Sequence, residues 1–262
     1  MNEINLQKSA GFNSKISAKQ KSSKKQNPTF VIMNRELSSY FTSPIAYIVG
    51  ALFLIITGVF FFPTFFINRR ADLRNFFSLL PIIFCFFIPA LTMRIFSEEK
   101  RSGSIETLMT LPVKVSQIVL GKYLASLISS LVLLLPTLFY VITCCVFGKP
   151  DFGPIIGGYL GAIFLAAAYC SIGIFASSVT KNQILSFFIA LAICGILTVL
   201  GVFAIFMPGS LVNISTFISS ESHFESISRG IIDSRDVLYF ISLTAIFLAL
   251  TVNSVNNQRQ GK

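Results

Sequence analysis

The sequence predicts an all-α integral membrane protein with six spanning helices, and three observations carry that reading. Of its 262 residues 53% are hydrophobic and 12% charged, with 28 Phe and no Trp, a balance too apolar for a water-soluble domain. Apolar runs of roughly 20 residues recur along the chain, and at about 1.5 Å rise per residue each matches a hydrocarbon core of about 30 Å. Lys and Arg fall unevenly between the runs, fifteen on one side and six on the other, which predicts that both termini are cytoplasmic.

In chain order, residues 1–33 are rich in Ser, Asn, Gln and Lys, including Lys8, Lys15, Lys19, Lys21, Lys24 and Lys25. This composition predicts a disordered basic cytoplasmic tail facing an anionic lipid surface. The net charge of +10 is explained by lipid more simply than by nucleic acid. No apolar run precedes Pro44, so no cleaved leader is expected. Residues 34–43 fit a short interfacial connecting helix with Arg35 and Glu36 on its polar side and Leu37, Tyr40 and Phe41 toward lipid. The membrane domain then extends over 44–255, its spans expected near 44–62, 76–92, 122–147, 154–178, 184–207 and 237–255, followed by a cytoplasmic end at 256–262. Pro136 lies inside the third span. Cys85, Cys144, Cys145, Cys170 and Cys194 all sit in apolar runs and read as small buried side chains.

Two segments between spans are more than turns. Residues 208–236, on the outer side by the charge count, scatter apolar side chains among Ser and charges, as short broken helices re-entering the outer leaflet would. His223, the chain's one histidine, lies there between Glu221 and Glu225; that falls short of a metal site's usual ligand set, and no metal is expected.

The other segment, 93–120, is a charge-dense island between long apolar runs. It contains Arg94, Glu98, Glu99, Lys100, Arg101, Gly103, Glu106, Pro112 and Lys114. Gly103 permits a sharp turn and Pro112 disfavours helix just before it. Between them Ser104 is placed to cap a short amphipathic helix, with Glu106 in its first turn and Ile105, Leu108 and Met109 on one face. Composition alone leaves two readings open: a docking element, or a solvated loop that fixes topology.

The expected spans contain no Asp, Glu, Lys, Arg or His except Lys122 at the first position of the third. Ion-coupled carriers use such groups at mid-membrane depth, so ion coupling is disfavoured. The chain also lacks a phosphate-binding loop: Gly121-Lys122 is followed by Tyr123 and Gly148-Lys149 by Pro150, where Ser or Thr is needed. No nucleophile and base stand at a recognisable spacing, so no catalytic residue is assigned.

The stretch from Phe96 to Val113, FSEEKRSGSIETLMTLPV, resembles the signature between the second and third spans of bacterial type-2 ABC transporter permeases. Arg35-Glu36-Leu37 through Tyr47 and the run His223-Phe224-Glu225 through Gly230 and Asp233 are similar to further stretches of that family. The nearest likeness is to the gliding-motility-associated permease group. Ser104 stands where Thr is common, and the first 28 residues fall outside the pattern. The resemblance implies a type-2 ABC exporter-like permease in the bacterial cytoplasmic (inner) membrane. It implies a second permease subunit, identical or different, and ATPase subunits carrying ATP and magnesium, this chain binding no cofactor itself. The island then becomes a coupling helix, with Glu98, Glu99, Lys100, Arg101, Gly103, Glu106, Leu108 and Pro112 receiving the ATPase stroke. The alternative is a non-transporting membrane scaffold or anchor of a motility or secretion complex.

Overall fold

The computed structural model describes residues 27–68, 72–106, 112–148, 150–203 and 208–259. Among the described residues there is no strand, and six helices are long and apolar enough to cross a membrane. Helix α1 (Pro28–Thr42) starts with Pro at its first position, where the missing N–H costs nothing. It begins six residues before the expected connecting helix and takes in the end of the segment read as disordered tail.

Helix α2 (Pro44–Asn68) follows after one residue, and α3 (Arg74–Thr92) comes next. The short α4 (Ser97–Ser102) ends at Gly103, whose φ of 74° is the left-handed geometry the sequence anticipates. Residues 104–106 are helical again. The Ser104 hydroxyl lies 2.9 Å from Ser102 Oγ and Glu106 N–H closes back on Gly103 O, while the rest of the helix that Ser104 is expected to cap lies outside the described residues.

The third span starts earlier than expected. Helix α5 (Val115–Leu134) opens with the Gln117 side chain accepting from Lys114 N, so Lys122 lies two turns inside it. A 3-10 turn at Leu135–Thr137 around Pro136 breaks the span before α6 (Leu138–Phe147). Helix α7 (Phe152–Val179) is capped by Asp151, which accepts from Gly153 N at 3.3 Å. Then come α8 (Gln183–Phe203), the short pair α9 (Gly209–Ile218) and α10 (Ser220–Ser228), and α11 (Ser234–Arg259). The pair lies within 208–236.

Helix α7 is the hub, packing against α3, α5, α8, α10 and α11. Small residues allow this: a Cβ at Gly158 would meet the Phe77 ring at 2.5 Å, and one at Gly173 would meet Thr92 Oγ1. Four cysteines are buried as expected, but Cys145 is exposed. The bundle has two distinct polar ends. At one lie α1, α4, the start of α5 and the last turns of α7 and α11; at the other lie the start of α7 and the α9–α10 pair.

Candidate functional site

At the first end, the step from α3 into α4 is fixed by α7. Ser177 Oγ accepts from Phe96 N and Ser97 N at 2.9 and 3.0 Å and donates to Met93 O at 3.0 Å. Helix α4 therefore cannot rotate freely, and its charges point in set directions. Lys100 Nζ donates to the carbonyl of Ser178, which also accepts from Gln258 Nε2 at 3.0 Å. Glu98 runs along the surface, taking Nε and Nη2 of Arg94 at 3.0 and 3.2 Å.

Glu99 faces inward. Its Oε1 accepts from Lys122 Nζ at 2.7 Å, and the same ammonium donates to Glu36 Oε1 at 2.8 Å and to Ile95 O at 3.1 Å. Lys122 is 1% exposed and sits 5.1 Å from the Phe96 ring centroid. A lysine so deeply enclosed is tolerated only when its three donors are taken, and here all three are. The triad joins three elements that are distant in sequence: α1 through Glu36, α4 through Glu99 and α5 through Lys122.

Local packing brings the partners together. Gly121 permits α1 to lie on α5, since a Cβ there would meet Thr29 O at 2.8 Å. Tyr40 donates to Leu91 O at 2.6 Å, tying the end of α1 to α3. Of the residues expected to couple, Arg101, Gly103, Glu106 and Pro112 are exposed and Ile105 is half-buried. Leu108 and Met109 lie outside the described residues. Arg35 is exposed, whereas Glu36 and Tyr40 are half-buried.

At the opposite end the structure gives His223 a partner that the sequence reading missed. Its Nδ1 lies 2.7 Å from Asp236 Oδ1, its Nε2 lies 3.1 Å from Phe217 O, and its ring stacks on Tyr239 at 4.1 Å. The histidine joins α9, α10 and α11. Phe224 is buried against Gly161, and Gly230, at φ 88°, sits against Gly153. Asp233 is exposed and accepts from Arg235 N at 3.1 Å at the start of α11. Among the described residues no three His, Cys, Asp or Glu side chains group as a metal site.

Lys122 is the chief residue that sequence reading passed over, and a signal was present. Val115, Ile118, Val119 and Lys122 follow the i, i+3, i+4, i+7 spacing of one helix face, and all four are buried. A lysine on the apolar face of a helix needs an internal acid. Ser177 and Asp236 gave no comparable signal.

The family model described as ABC-2 family transporter protein matches residues 3–260. The match takes in most of the lysine-rich tail that the motif resemblance leaves out. No curated protein matches the chain.

Proposed function

We propose, from the premise that this chain belongs to the ABC-2 family of transporter proteins, that it is the permease subunit of an ATP-driven export complex. ATP and magnesium are held by separate ATPase subunits at the α4 end, which is the cytoplasmic face of a bacterial inner membrane. A second permease subunit, a copy or a relative, completes the path. The likeness of residues 96–113 supports the gliding-motility-associated group as nearest kin.

The observation that carries the proposal is the Glu36–Lys122–Glu99 triad. A stroke delivered to the exposed part of the 93–120 segment reaches α4, and α4 cannot move without α1 and α5 because one buried ammonium holds all three. Arg101 and Glu106 face outward and dock the ATPase through charge-assisted contacts. Glu99 and Lys122 transmit the motion from within.

Purification from native membranes in mild detergent, followed by vanadate-sensitive ATP hydrolysis, tests this. The wild-type chain should copurify with an ATPase. The surface variant Arg101→Glu with Glu106→Lys should lose it while keeping the wild-type melting temperature. Full ATPase capture and transport in that variant, or a stable preparation with no associated ATPase, would overturn the proposal.

A further inference from the structure

The contacts of His223, at the end opposite α4, demand more hydrogens than a neutral ring can supply. Nδ1 lies 2.7 Å from Asp236 Oδ1, and Nε2 lies 3.1 Å from the carbonyl oxygen of Phe217. A carboxylate and a carbonyl only accept, and a neutral imidazole has one N–H. With Asp236 ionised, both contacts are hydrogen bonds only when both ring nitrogens carry hydrogen, which makes His223 an imidazolium.

The surroundings suit that charge. Phe217 and Ile218 belong to the last turn of α9, whose carbonyls have no amide partner within the helix, and a cation is favoured at a helix C-terminus. Tyr239 donates to Ile218 O at 2.5 Å while its ring stacks on the imidazole at 4.1 Å. The side chains of His223 and Asp236 are 12% and 9% exposed, so water does little to replace the bond between them. Asp236 Oδ2 is buried and has no hydrogen-bond partner among the described residues, which leaves His223 to offset the carboxylate. No other ionic group competes for the ring. Helix α9 carries no titratable side chain, and α11 brings Asp236 and Tyr239, with Asp233 and Arg235 at its exposed start. On α10 itself Glu221 turns toward Gly201 of α8 and Glu225 pairs with Arg229. Helices α3, α7 and α8, which pack on α10, carry one charged side chain, Arg74, and it pairs with Asp72 and Asp151.

When the second proton leaves to water, the remaining N–H stays with Asp236, because a bond to a charged acceptor is the stronger. Nε2 then turns a lone pair toward Phe217 O. We infer that His223 is a proton-operated latch: protonated, it fastens the end of α9 to α10 and α11; deprotonated, it lets that end go. The contact is complete at low pH and is lost as pH rises. The latch goes beyond the permease reading and does not depend on ATP-driven transport, since it is measured on this chain alone.

The full-length protein, carrying a tag without histidine and labelled with 15N-histidine, is placed in detergent at pH 5 and pH 9, which bracket the range where imidazole changes charge. His223 is the chain's one histidine, so the nitrogen spectrum reports it alone. Two protonated ring nitrogens are expected at pH 5, and a bare Nε2 at pH 9. Amide exchange, expressed as protection factors so that the intrinsic pH dependence divides out, should show α9 losing about tenfold more protection than α7 over that rise, the size expected for one hydrogen bond to a charged group. In His223→Gln, whose amide donates without titrating, that difference should vanish. A bare ring nitrogen at pH 5, a wild-type α9 whose protection follows that of α7, or the same extra loss in His223→Gln, which would assign it to Glu221, would overturn the latch.

Discussion

Lys122 stands one residue after Gly121, and the two together decide how the α4 end is built. The glycine lets α1 come close, and the lysine supplies the charge that Glu36 and Glu99 need once they are drawn inward. Removing one member of such a group costs more than removing all, because the leftover charges stay enclosed. Lys122→Met should therefore destabilise the protein by about 3 kcal/mol, read as a lowered melting temperature in detergent. Adding Glu36→Gln and Glu99→Gln should recover a large part of that loss. Equal or greater loss in the triple variant would show that the triad's charges are not coupled. The sequence carried half of this arrangement. Helical spacing from Val115 exposes the buried lysine, but Glu36 and Glu99 are 86 and 23 residues away, and no local pattern pairs groups at such separations.

Helices were more legible than their contacts, for a physical reason: the bilayer demands an apolar run of a given length wherever a helix crosses it, whereas packing depends on single small residues. Helix α10 illustrates the second case. Its Phe224 packs on Gly161, and Ile227 and Gly230 pack on Gly157, whose missing side chain is what admits them. Nothing in the mixed composition of residues 208–236 showed α10 wedged against α7. The same wedge forces Glu221 toward Gly201 of α8, with Oε2 buried and without a hydrogen-bond partner in good geometry among the described residues. Burial is the main cause that raises the pKa of this carboxyl, and Glu225 nearby adds to it. A folded pKa above the unfolded one means that proton binding is stronger in the native state than in the unfolded chain. The stability it contributes is complete below the unfolded value and is lost as pH rises through the folded one. Glu221→Gln should therefore melt close to wild type at pH 4 and above it at pH 8. A constant difference across that range would mean that Glu221 is solvated in the native protein.

Across the whole molecule the helices are unequally held. Helix α7 packs against α3, α4, α5, α8, α10 and α11 and is the most buried of the spans, 72% of its most apolar stretch lying inside the protein. Helix α2 rests on α3 and touches α1, and the side chains of Ile48, Leu52, Ile55 and Val59 are exposed along it. Beyond the Pro136 break, α6 likewise exposes Phe139, Ile142, Val146 and Phe147. These faces need lipid or another subunit, and their apolar character was plain from composition; which helix would be central was not, because α2 and α7 are both long and apolar and only the glycines of α7 mark it for close packing. Local opening follows the number of buried partners that must be broken. Hydrogen exchange on the detergent-solubilised protein should find α7 the slowest element, with α6 and the second half of α2 opening at free energies below that of the whole bundle. The turn from α3 into α4, pinned by Ser177, should exchange with α7 rather than with the surface. Exchange of α4 ahead of α1 and α5 would contradict the rigid link on which the transmission of a stroke depends, because an element that frays before the helices it must drive cannot carry force to them.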